Sequence, residues 1–588
     1  MVPQSVNDLC LFFGGEVFLF ICHLQNTPKR VIQEVKMILN GSEILVNVLL
    51  EQGVDTVFGY PGGAVLNIYD ALYKYSDKIK HYMTAHEQGA SHAADGYARA
   101  TGKTGVVIAT SGPGATNLVT GIATAYMDSV PMVAITGNVS SDLIGADSFQ
   151  EVYITGITMP ITKHNFVVRR VEDLADILRR AFEIAGSGRP GPVLIDIPKD
   201  ITAALTEYEP KPAVKTTRSV PVKGNIAEVA ELINRSERPF IYFGGGVRIS
   251  EAGDELRQLI ETADIPAAYT LMAAGVLGYG EKNNLGLIGM HGCYAANAAA
   301  NRSDVLLAIG TRFSDRVALN TKKFARNAHI VHIDIDPSEI NKNIIADHSI
   351  VGDVKEVLTE LLKYIQPAKH EAWSKQIALW KDDDYKPTDS DTVLKPHYIV
   401  EKACEVAGED AVFVTDVGQH QMWSAQFLHH TKPRNFLTSG GLGTMGYGYG
   451  AAIGAKIARP DVPVVHLTGD GSFHMNMNEL CTAVSYNVPV ITVIFNNSVL
   501  GMVRQWQGTF YGRRFSSSEP ERATNYVKVA EGFGGRGFHC ETPAEFEAAM
   551  KEAMTMTGPV WIECVVDREE KVLPMIPGGK TVNDTIFN

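Results

Sequence analysis

Two short polar segments stand where strongly apolar runs end, and both carry oxygen atoms that could hold a cation. Gly469-Asp470-Gly471-Ser472 follows one run, and Asn496-Asn497 follows the next. A helical stretch between the runs would bring the two strand ends side by side, so that the Asp470 carboxylate and the Asn497 amide oxygen could face one cation. Magnesium prefers such ligands and commonly shares them with phosphate oxygens. The plain alternative is a strand end closed by an Asp-Gly turn.

A second candidate for chemistry is the acidic residue in His86-Glu87-Gln88, which opens an alanine-rich helical pattern after a short strand-like run. The local alternative is structural, because Thr84 and Glu87 have the spacing of a helix capping box. The local pattern by itself favours the cap.

A third segment, Gly441-Leu442-Gly443-Thr444-Met445-Gly446, has the GxGxxG spacing of a dinucleotide-binding turn. That motif needs a strand before it, and an acidic residue at a strand end about twenty residues further on. Residues 433–440 are largely polar, so no clear apolar strand precedes the glycines. We therefore do not expect a dinucleotide at this segment.

The elements that must position these segments follow a repeating pattern. Short β-branched runs, often beginning with Pro and ending in Gly or Asp, precede glycine- and alanine-rich helical patterns. This is typical of βαβ units around buried parallel sheets, in which ligands sit at the carboxyl ends of strands. The runs cover residues 105–112, 131–137, 192–198, 239–246, 304–310, 329–337, 410–418, 462–471, 488–497 and 558–567.

So many runs need more than one sheet, and a Pro- and Lys-containing linker (207–223) and a charged linker (381–395) divide them. We therefore expect three doubly wound parallel-sheet α/β domains. The similar phrases VPMVAITGN (130–138) and VPVVHLTGD (462–470) suggest that the first and third domains are related, although one short match is weak evidence. The predicted bounds are an N-terminal extension at 1–36, domains at 37–205, 220–368 and 391–570, and a tail at 571–588.

The composition narrows the class of protein. The 588 residues are 45% hydrophobic and 20% charged, as in an ordinary globular protein, and the net charge of -13 opposes binding to nucleic acid. The seven cysteines are scattered and form no CxxC pair, which favours a reducing cytosol over a disulfide framework or a zinc site. The apolar stretch 9–24 is too short to span a bilayer and lacks the flanks of a signal peptide.

The Asp470 and Asn497 arrangement resembles the fingerprint of the thiamine-diphosphate enzyme superfamily. From residue 37 to residue 588 the chain resembles the catalytic large subunits of acetohydroxyacid synthase, also called acetolactate synthase. The phrases that carry the resemblance are FGYPGGAVL (58–66), TSGPGATN (110–117), AYMDSVP (125–131), FQE (149–151), SGRPGPV (187–193), GMHG (289–292), HIDIDP (332–337), DVGQHQMW (416–423), GGLGTMG (440–446) and GMVRQWQ (501–507).

The resemblance implies a thiamine-diphosphate and Mg²⁺ site. Glu87 would hydrogen-bond the pyrimidine ring of the cofactor, for which a desolvated carboxyl group with a raised pKa is suited. The resemblance thus reverses the local preference for a helix cap at Glu87. The implied metal ligands are Asp470, Asn497 and the Val499 carbonyl, and the other implied cofactor contacts are Val417, Gly418, Gln419, His420, Gly443, Met445, Gly471, Ser472 and Met502.

The resemblance also implies a substrate channel, with Gln150 and Lys199 as contacts and Phe149 in the wall. Val503 and Trp506 would form the pocket for the second substrate, although Trp506 could instead be a core indole. A structural FAD is implied in the middle domain, where plain turns after strands are the alternative. The implied FAD contacts are Arg189, Gly244, Gly245, Met290, His291, Gly292, Gly310, Arg312, Asp334, Ile335, Asp336 and Asp353.

The implied reaction is decarboxylation of pyruvate and transfer of the two-carbon unit to a second pyruvate or to 2-oxobutyrate, in branched-chain amino acid synthesis. A homodimer or larger oligomer with its active site between subunits, and a small regulatory subunit, are also implied. The alternatives are another 2-oxo acid decarboxylase or oxidase, and a silent cofactor-binding protein. The chain departs from the family at Tyr449-Gly450, where Leu-Pro is usual, at Ser498-Val499-Leu500, and at Cys293, where Thr is usual. The first departure predicts a looser helix start.

Overall fold

The computed structural model describes residues 12–13, 16–17, 37–218, 220–430, 432–520 and 522–588. The expected extension at 1–36 lies outside the described residues, except for β1 (Phe12–Phe13) and β2 (Glu16–Val17), which form an antiparallel pair. In the described part of the chain, no helix has the length and apolar character that crossing a membrane requires.

The first domain is a parallel sheet of six strands covered by helices. Its central strands are buried along their whole length, as expected for a sheet with helices on both faces. A short antiparallel pair, β3 (Met37–Asn40) with β10 (Leu205–Tyr208), closes the domain. The strands of the six-stranded sheet are β4 (Thr56–Tyr60), β5 (Lys80–Met83), β6 (Gly105–Ala109), β7 (Met132–Asn138), β8 (His164–Val167) and β9 (Pro192–Pro198). The helices are α1 (Gly41–Glu51), α2 (Leu66–Lys74), α3 (Glu87–Thr101), α4 (Pro113–Asn117), α5 (Val119–Met127), α6 (Ile154–Thr158), α7 (Val171–Gly186) and α8 (Lys199–Ala203).

The middle domain is a second parallel sheet with the spatial order β13-β12-β11-β14-β15-β16. This is the doubly wound order whose switch point, here between β11 and β14, is where dinucleotides bind. The strands are β11 (Pro239–Phe243), β12 (Ala267–Tyr269), β13 (Asn284–Leu287), β14 (Val305–Ile309), β15 (His329–Asp334) and β16 (His348–Val351). The helices are α9 (Ile226–Arg235), α10 (Gly245–Ile249), α11 (Gly253–Ala263), α12 (Tyr294–Arg302), α13 (Val354–Leu361) and α14 (Glu371–Asp382).

The third domain is again a six-stranded parallel sheet. Its strands are β17 (Val412–Thr415), β18 (Phe436–Leu437), β19 (Val464–Gly469), β20 (Val490–Asn496), β21 (Arg536–Cys540) and β22 (Val560–Val565). Its helices are α15 (Pro396–Ala407), α16 (Gln419–Phe427), α17 (Gly448–Ala458), α18 (Asp470–Phe473), α19 (Leu480–Ser485), α20 (Gly501–Phe510), α21 (Tyr526–Phe533) and α22 (Pro543–Ala553).

The first and third sheets have the same strand order. The first reads β5-β4-β6-β7-β9-β8 and the third reads β18-β17-β19-β20-β22-β21, which in both is second, first, third, fourth, sixth, fifth along the chain. The predicted kinship of the two domains therefore holds at the level of topology. The two matching phrases do not occupy equivalent strands, however, because the first lies in β7, the fourth strand, and the second lies in β19, the third strand.

Helix α3 of the first domain packs on helix α17 of the third through small residues. A Cβ at Gly96 would stand 2.1 Å from the Ala451 carbonyl oxygen, and one at Gly454 would stand 1.9 Å from the Ala93 carbonyl oxygen. Gly450 belongs to the same contact, since a Cβ there would stand 2.8 Å from the Gly89 carbonyl oxygen. Tyr449 is buried and Gly450 lies inside α17, which begins at Gly448, and the looser helix start expected from the sequence stays a prediction.

All three expected sheets are present, so the predicted fold class is confirmed. The predicted domain bounds remain predictions. The predicted end of the first domain, at residue 205, falls on the first residue of β10.

Candidate active site

Asp470 and Asn497, the pair predicted to bind a cation, lie at the carboxyl ends of β19 and β20. These strands are parallel neighbours with Gly469 opposite Phe495, so the residues that follow each strand share one edge of the sheet. Asp470 is buried there, and the backbone N–H groups of Gly471 and Asn497 face its carboxylate. Burial raises the pKa of Asp470 to about 6, and the backbone N–H groups and the charge of Arg522 offset this only in part. Among the described residues no side chain donates a hydrogen bond to this carboxylate, so its oxygens suit a cation.

The neighbouring oxygens are suited to complete such a site. The Asn497 side chain donates to Gln419 Oε1 at 3.2 Å, and its oxygen accepts from the Val499 N–H at 3.2 Å. Val499 is buried beside it. No cluster of three or more His, Cys, Asp or Glu side chains suited to a metal occurs in the described ranges. A metal at this edge would therefore depend on one carboxylate together with amide and carbonyl oxygens, a set that suits magnesium.

The segment 417–420 forms a cradle next to this edge. Gly418 precedes helix α16, whose first N–H groups are a favourable environment for phosphate oxygens. The His420 imidazole lies below it, and Cβ atoms at Gly418 and Gly469 would stand 3.0 and 2.8 Å from that ring. His420 Nε2 is buried without a partner in the described residues, and burial lowers the pKa of His420 to about 4. Glycine backbones, a helix N-terminus and an unpaired neutral imidazole fit a diphosphate.

The loop 440–446 closes the cradle from another side. Its Gly446 N–H donates to Ser472 Oγ at 3.0 Å, and a Cβ at Gly443 would stand 3.9 Å from Val417. The sequence expectation that no strand precedes this loop needs correction, because the short strand β18 ends at Leu437. Its two residues pair with β17 at the edge of the sheet, which is too little apolar sequence to detect. Met445 and Met502, also implied as contacts, are half-buried.

Glu87 is the first residue of helix α3, but it does not form the capping box that the local pattern favours. The helix cap is His86, whose Nδ1 accepts from the Gln88 N–H at 3.0 Å, while Thr84 donates to the His86 carbonyl at 2.8 Å. The capping-box alternative is therefore wrong. The Glu87 carboxylate instead accepts from Asn117 Nδ2 at 2.9 Å.

In the single chain Glu87 is not joined to the metal-facing edge. Among the described residues no hydrogen bond or ion pair connects Glu87 to Asp470 or Asn497. The acidic neighbour of Glu87 is Glu479, which accepts from the N–H groups of Ala85 and His86 at 3.0 and 3.1 Å. Burial, and to a lesser extent the charge of Glu87, raise the pKa of Glu479.

The predicted channel residues fall into two groups. Gln150 and Glu87 both lie against the segment 112–114, since a Cβ at Gly112 would be 2.9 Å from the Gln150 Cα and a Cβ at Gly114 would be 3.2 Å from Glu87 Oε1. Phe149 is 87% exposed, and Lys199 is exposed at the start of α8.

The other group lies on α20, where Val503 is exposed and Trp506 is half-buried. Trp506 packs against Met290, Leu573 and Met575. Its Nε1 has no hydrogen-bond partner in the described residues, so the alternative of a satisfied core indole is not supported.

The residues implied for FAD differ in how far contacts within the chain already satisfy their polar groups. Gly244 and Gly310 follow β11 and β14 at the switch point, but a Cβ at Gly244 would stand 2.5 Å from the Gly310 carbonyl oxygen, so strand packing alone accounts for one glycine. Burial raises the pKa of Asp334 to about 6, and it lowers the pKa of His291 to about 4, where Nδ1 has no partner in the described residues. Asp334 ends β15 and accepts from the Asp336 N–H at 2.9 Å, while His291 follows β13, and both polar groups suit a polar ligand.

Other residues implied for FAD form ion pairs or hydrogen bonds with residues of the same chain. Arg189 pairs with Asp336 at 3.0 Å and also with Glu339, and Arg312 donates to the Met127 carbonyl at 2.8 Å. Asp353 caps helix α13. The remaining implied contacts are neighbours of these residues in the chain. Gly245 begins α10 after Gly244, Met290 and Gly292 flank His291, and Ile335 follows Asp334.

The sequence reading missed a buried pair under the cradle. Asp416 lies one residue before Val417, and although burial alone would raise its pKa, the hydrogen bond from His466 at 3.2 Å helps hold that pKa at about 2. The Gly448 N–H and the Thr468 hydroxyl also donate to the Asp416 carboxylate. The position of Asp416 at a strand end was a usable signal, whereas nothing in the sequence pairs it with His466.

The fold and this site define a class of protein. Three family models match the chain: the N-terminal thiamine pyrophosphate binding domain over residues 39–157, the central domain of thiamine pyrophosphate enzymes over 226–361, and the C-terminal thiamine pyrophosphate binding domain over 416–564. Each model falls on one of the three sheets. This is the domain set of a thiamine pyrophosphate enzyme.

Similar proteins narrow the class. The chain is 47% identical over 566 residues to the acetolactate synthase of Mycobacterium bovis, covering 93% of this chain and 91% of that protein. It is 47% identical over 563 residues to a probable acetolactate synthase large subunit of Methanocaldococcus jannaschii, covering 93% and 95%. It is 46% identical over 570 residues to the acetolactate synthase large subunit of Porphyra purpurea, covering 94% and 96%. The chain belongs to the family of acetolactate synthase large subunits.

Proposed function

We propose that this chain is the catalytic subunit of an acetohydroxyacid synthase. It would decarboxylate pyruvate and join the two-carbon unit to a second pyruvate, giving 2-acetolactate, or to 2-oxobutyrate, giving 2-aceto-2-hydroxybutyrate. The observation that carries the proposal is the meeting of Asp470, Asn497 and the 417–420 cradle at one sheet edge. A buried carboxylate with a raised pKa, beside glycines and an unpaired imidazole, is suited to a cation and a diphosphate.

Each group of residues would then have a distinct task. Asp470, Asn497 and the Val499 carbonyl would hold Mg²⁺, and Gly418, Gln419, His420, Gly471 and Ser472 would surround the diphosphate. Gly443 and Met445 would meet the aminopyrimidine, and Glu87 would hold a proton at its ring nitrogen. Thiamine diphosphate, when bound, supplies a nucleophilic carbon and an electron sink for decarboxylation.

A homodimer, or a larger oligomer, would complete this site. Among the described residues of one chain, Glu87 accepts a hydrogen bond from Asn117 and makes none with Asp470 or Asn497, which supports two halves that meet across a subunit interface. Large apolar side chains are exposed near both halves, which supports a contact surface there. They are Phe149, Tyr153 and Met159 in the first domain, and Leu442 and Met475 in the third.

The substrate channel would run between these halves. Gln150 and Lys199 would contact the substrate, Phe149 would line the channel, and Val503 and Trp506 would receive the second 2-oxo acid. Discrimination by one methylene supplies only about 1–3 kcal/mol, so a preference for 2-oxobutyrate would be graded.

A structural FAD in the middle domain is part of the proposal, because Asp334, His291 and the switch point fit a dinucleotide and the net reaction needs no oxidant. A small regulatory subunit and a cytosolic location, both expected from the sequence, remain predictions.

The test is a pyruvate assay for acetolactate in which thiamine diphosphate, Mg²⁺ and FAD are each omitted in turn from the cofactor-stripped protein. We expect acetolactate only when thiamine diphosphate and Mg²⁺ are both present, with FAD affecting retention of fold and activity. Accumulation of acetaldehyde would identify a simple decarboxylase instead, and accumulation of acetate would identify an oxidase.

A further inference from the structure

A buried ionic cluster joins the first domain to the loop 440–446, and none of the roles proposed above uses it. Arg99, on the same helix α3 that begins at Glu87, has a side chain that is only 2% exposed. Its guanidinium donates to Asp95 at 2.5 Å, to Asp128 at 2.9 Å and to the Thr438 carbonyl at 2.9 Å. One arginine of the first domain thus holds two aspartates of its own domain and the backbone of the third.

Asp128 is the residue that reaches the loop. Its two carboxylate oxygens accept from the N–H groups of Gly440 at 3.0 Å and Gly441 at 2.7 Å, the first two residues of the loop. A third contact lies further along, where Thr124 Oγ1 and Thr444 Oγ1 are 2.7 Å apart. The first domain therefore fixes the loop at its start and on the residue between Gly443 and Met445.

The cluster continues past the end of the loop. Tyr447 directly follows Gly446, and its hydroxyl donates to Asp95 at 2.7 Å. A buried ion pair is poor evidence of a gain in stability, because the desolvation of its charges offsets their attraction. Buried ionic groups that all bind one backbone segment instead restrict that segment to one conformation, which is what a loop that contacts a cofactor requires.

We propose that Arg99 and Asp128 are positioning residues that hold the loop 440–446 in the conformation in which Gly443 and Met445 meet the thiamine ring system. The inference rests on the proposed function, since that function alone places a cofactor beside this loop. Arg99 and Asp128 touch neither substrate nor cofactor and act through the loop. Because Glu87 and Arg99 lie on one helix, and Glu87 would serve the active site shared with the other subunit, α3 connects the loop of one site to the proposed proton-holding group of the next.

The test is Asp128→Asn, measured by titrating the cofactor-stripped protein with thiamine diphosphate in excess Mg²⁺, with calorimetry as the readout. The variant keeps the shape of the side chain but replaces one acceptor oxygen by a donor that faces N–H groups. We expect the dissociation constant for thiamine diphosphate to rise about tenfold or more, the size expected for loss of a charge-assisted hydrogen bond. Thr124→Val, which removes a single hydroxyl, should fold even if Asp128→Asn does not, and should raise the constant by a smaller factor.

The matched control is Glu51→Gln. Glu51 forms another buried ion pair of the first domain, accepting from Arg179 at 2.8 and 2.9 Å, and among the described residues it forms no hydrogen bond or ion pair with the third domain. It should lower the denaturation midpoint without changing the dissociation constant. The inference is overturned if neither Asp128→Asn nor Thr124→Val weakens cofactor binding, or if Glu51→Gln weakens it equally. Failure of the proposed function would be seen separately, as unmodified protein that binds no thiamine diphosphate or forms no acetolactate.

Discussion

The first and third domains share a strand order, and each carries a buried aspartate at its sheet whose pKa burial raises to about 6. In the first domain, Asp196 accepts from Thr136 at 2.7 Å and from Asn138 at 2.6 Å, so both of its oxygens have side-chain donors. In the third domain, backbone N–H groups and the charge of Arg522 act on Asp470, and no side chain among the described residues donates a hydrogen bond to it.

This difference shows that the strand order of a sheet does not determine how the carboxylates at its edge are hydrogen-bonded. The same topology produces a satisfied carboxylate in one domain and an incompletely satisfied one in the other, because the side chains on neighbouring strands differ. Side-chain donors satisfy both oxygens of Asp196, whereas Asp470 has no side-chain donor among the described residues, so a bound cation is proposed only at Asp470. The first domain contributes its chemistry elsewhere, through Glu87 at a helix start.

The largest expected effect is that of Glu87→Gln. The amide keeps the size of the side chain but cannot hold the proton as the acid does, so turnover should fall by about two orders of magnitude or more while thiamine diphosphate still binds. Acetolactate formation and cofactor titration measure the two outcomes. Near-normal turnover would remove Glu87 from the proposed chemistry.

Asp470→Asn should come next, because it removes the carboxylate that is proposed to bind the metal. We expect the concentration of Mg²⁺ needed for half-maximal cofactor binding to rise by about tenfold or more. Asp196→Asn is the matched control on the related sheet, and it should leave the Mg²⁺ dependence unchanged. Equal effects of the two substitutions would contradict the proposal that the cation binds at Asp470 and not at Asp196.

Mixing the Glu87→Gln and Asp470→Asn chains sharpens the comparison further. If the active site joins the first domain of one subunit to the third domain of another, half of the randomly formed dimers carry one intact site. About a quarter of the unmodified activity should then return. A site formed within one chain would leave the mixture inactive.

The smallest expected effect concerns pH and Asp196. Its folded pKa of about 6 lies above the ordinary value of 3.8, so its protonated form stabilises the fold below about pH 3.8, and this contribution is lost as the pH rises through about 6. Relative to Asp196→Asn, which does not titrate, the unmodified protein should lose at most about 3 kcal/mol between pH 4 and pH 7. Chemical denaturation of both proteins across this range measures the difference. A pH-independent difference would mean that Asp196 does not titrate there.

Much of the site was readable from local sequence. Apolar runs followed by Asp470 and Asn497 predicted adjacent strand ends, because a parallel sheet places its carboxyl ends on one edge. The helix start at Glu87 was also predicted, but its capping was not, since the choice between Thr84 and His86 depends on side-chain geometry that spacing does not encode. The strand β18 escaped detection because two residues give no periodicity.

The sequence by itself determined the family, the three sheets and the residue types at their edges, since these depend on periodicity and on motifs within short segments. Only the tertiary structure decided that the first and third sheets share an order while their matching phrases do not correspond. It also decided that Asp128 binds the start of the loop 440–446, and that Glu87 accepts a hydrogen bond from Asn117. The physical reason is that contacts between residues hundreds of positions apart arise from packing of whole domains, which no local pattern specifies.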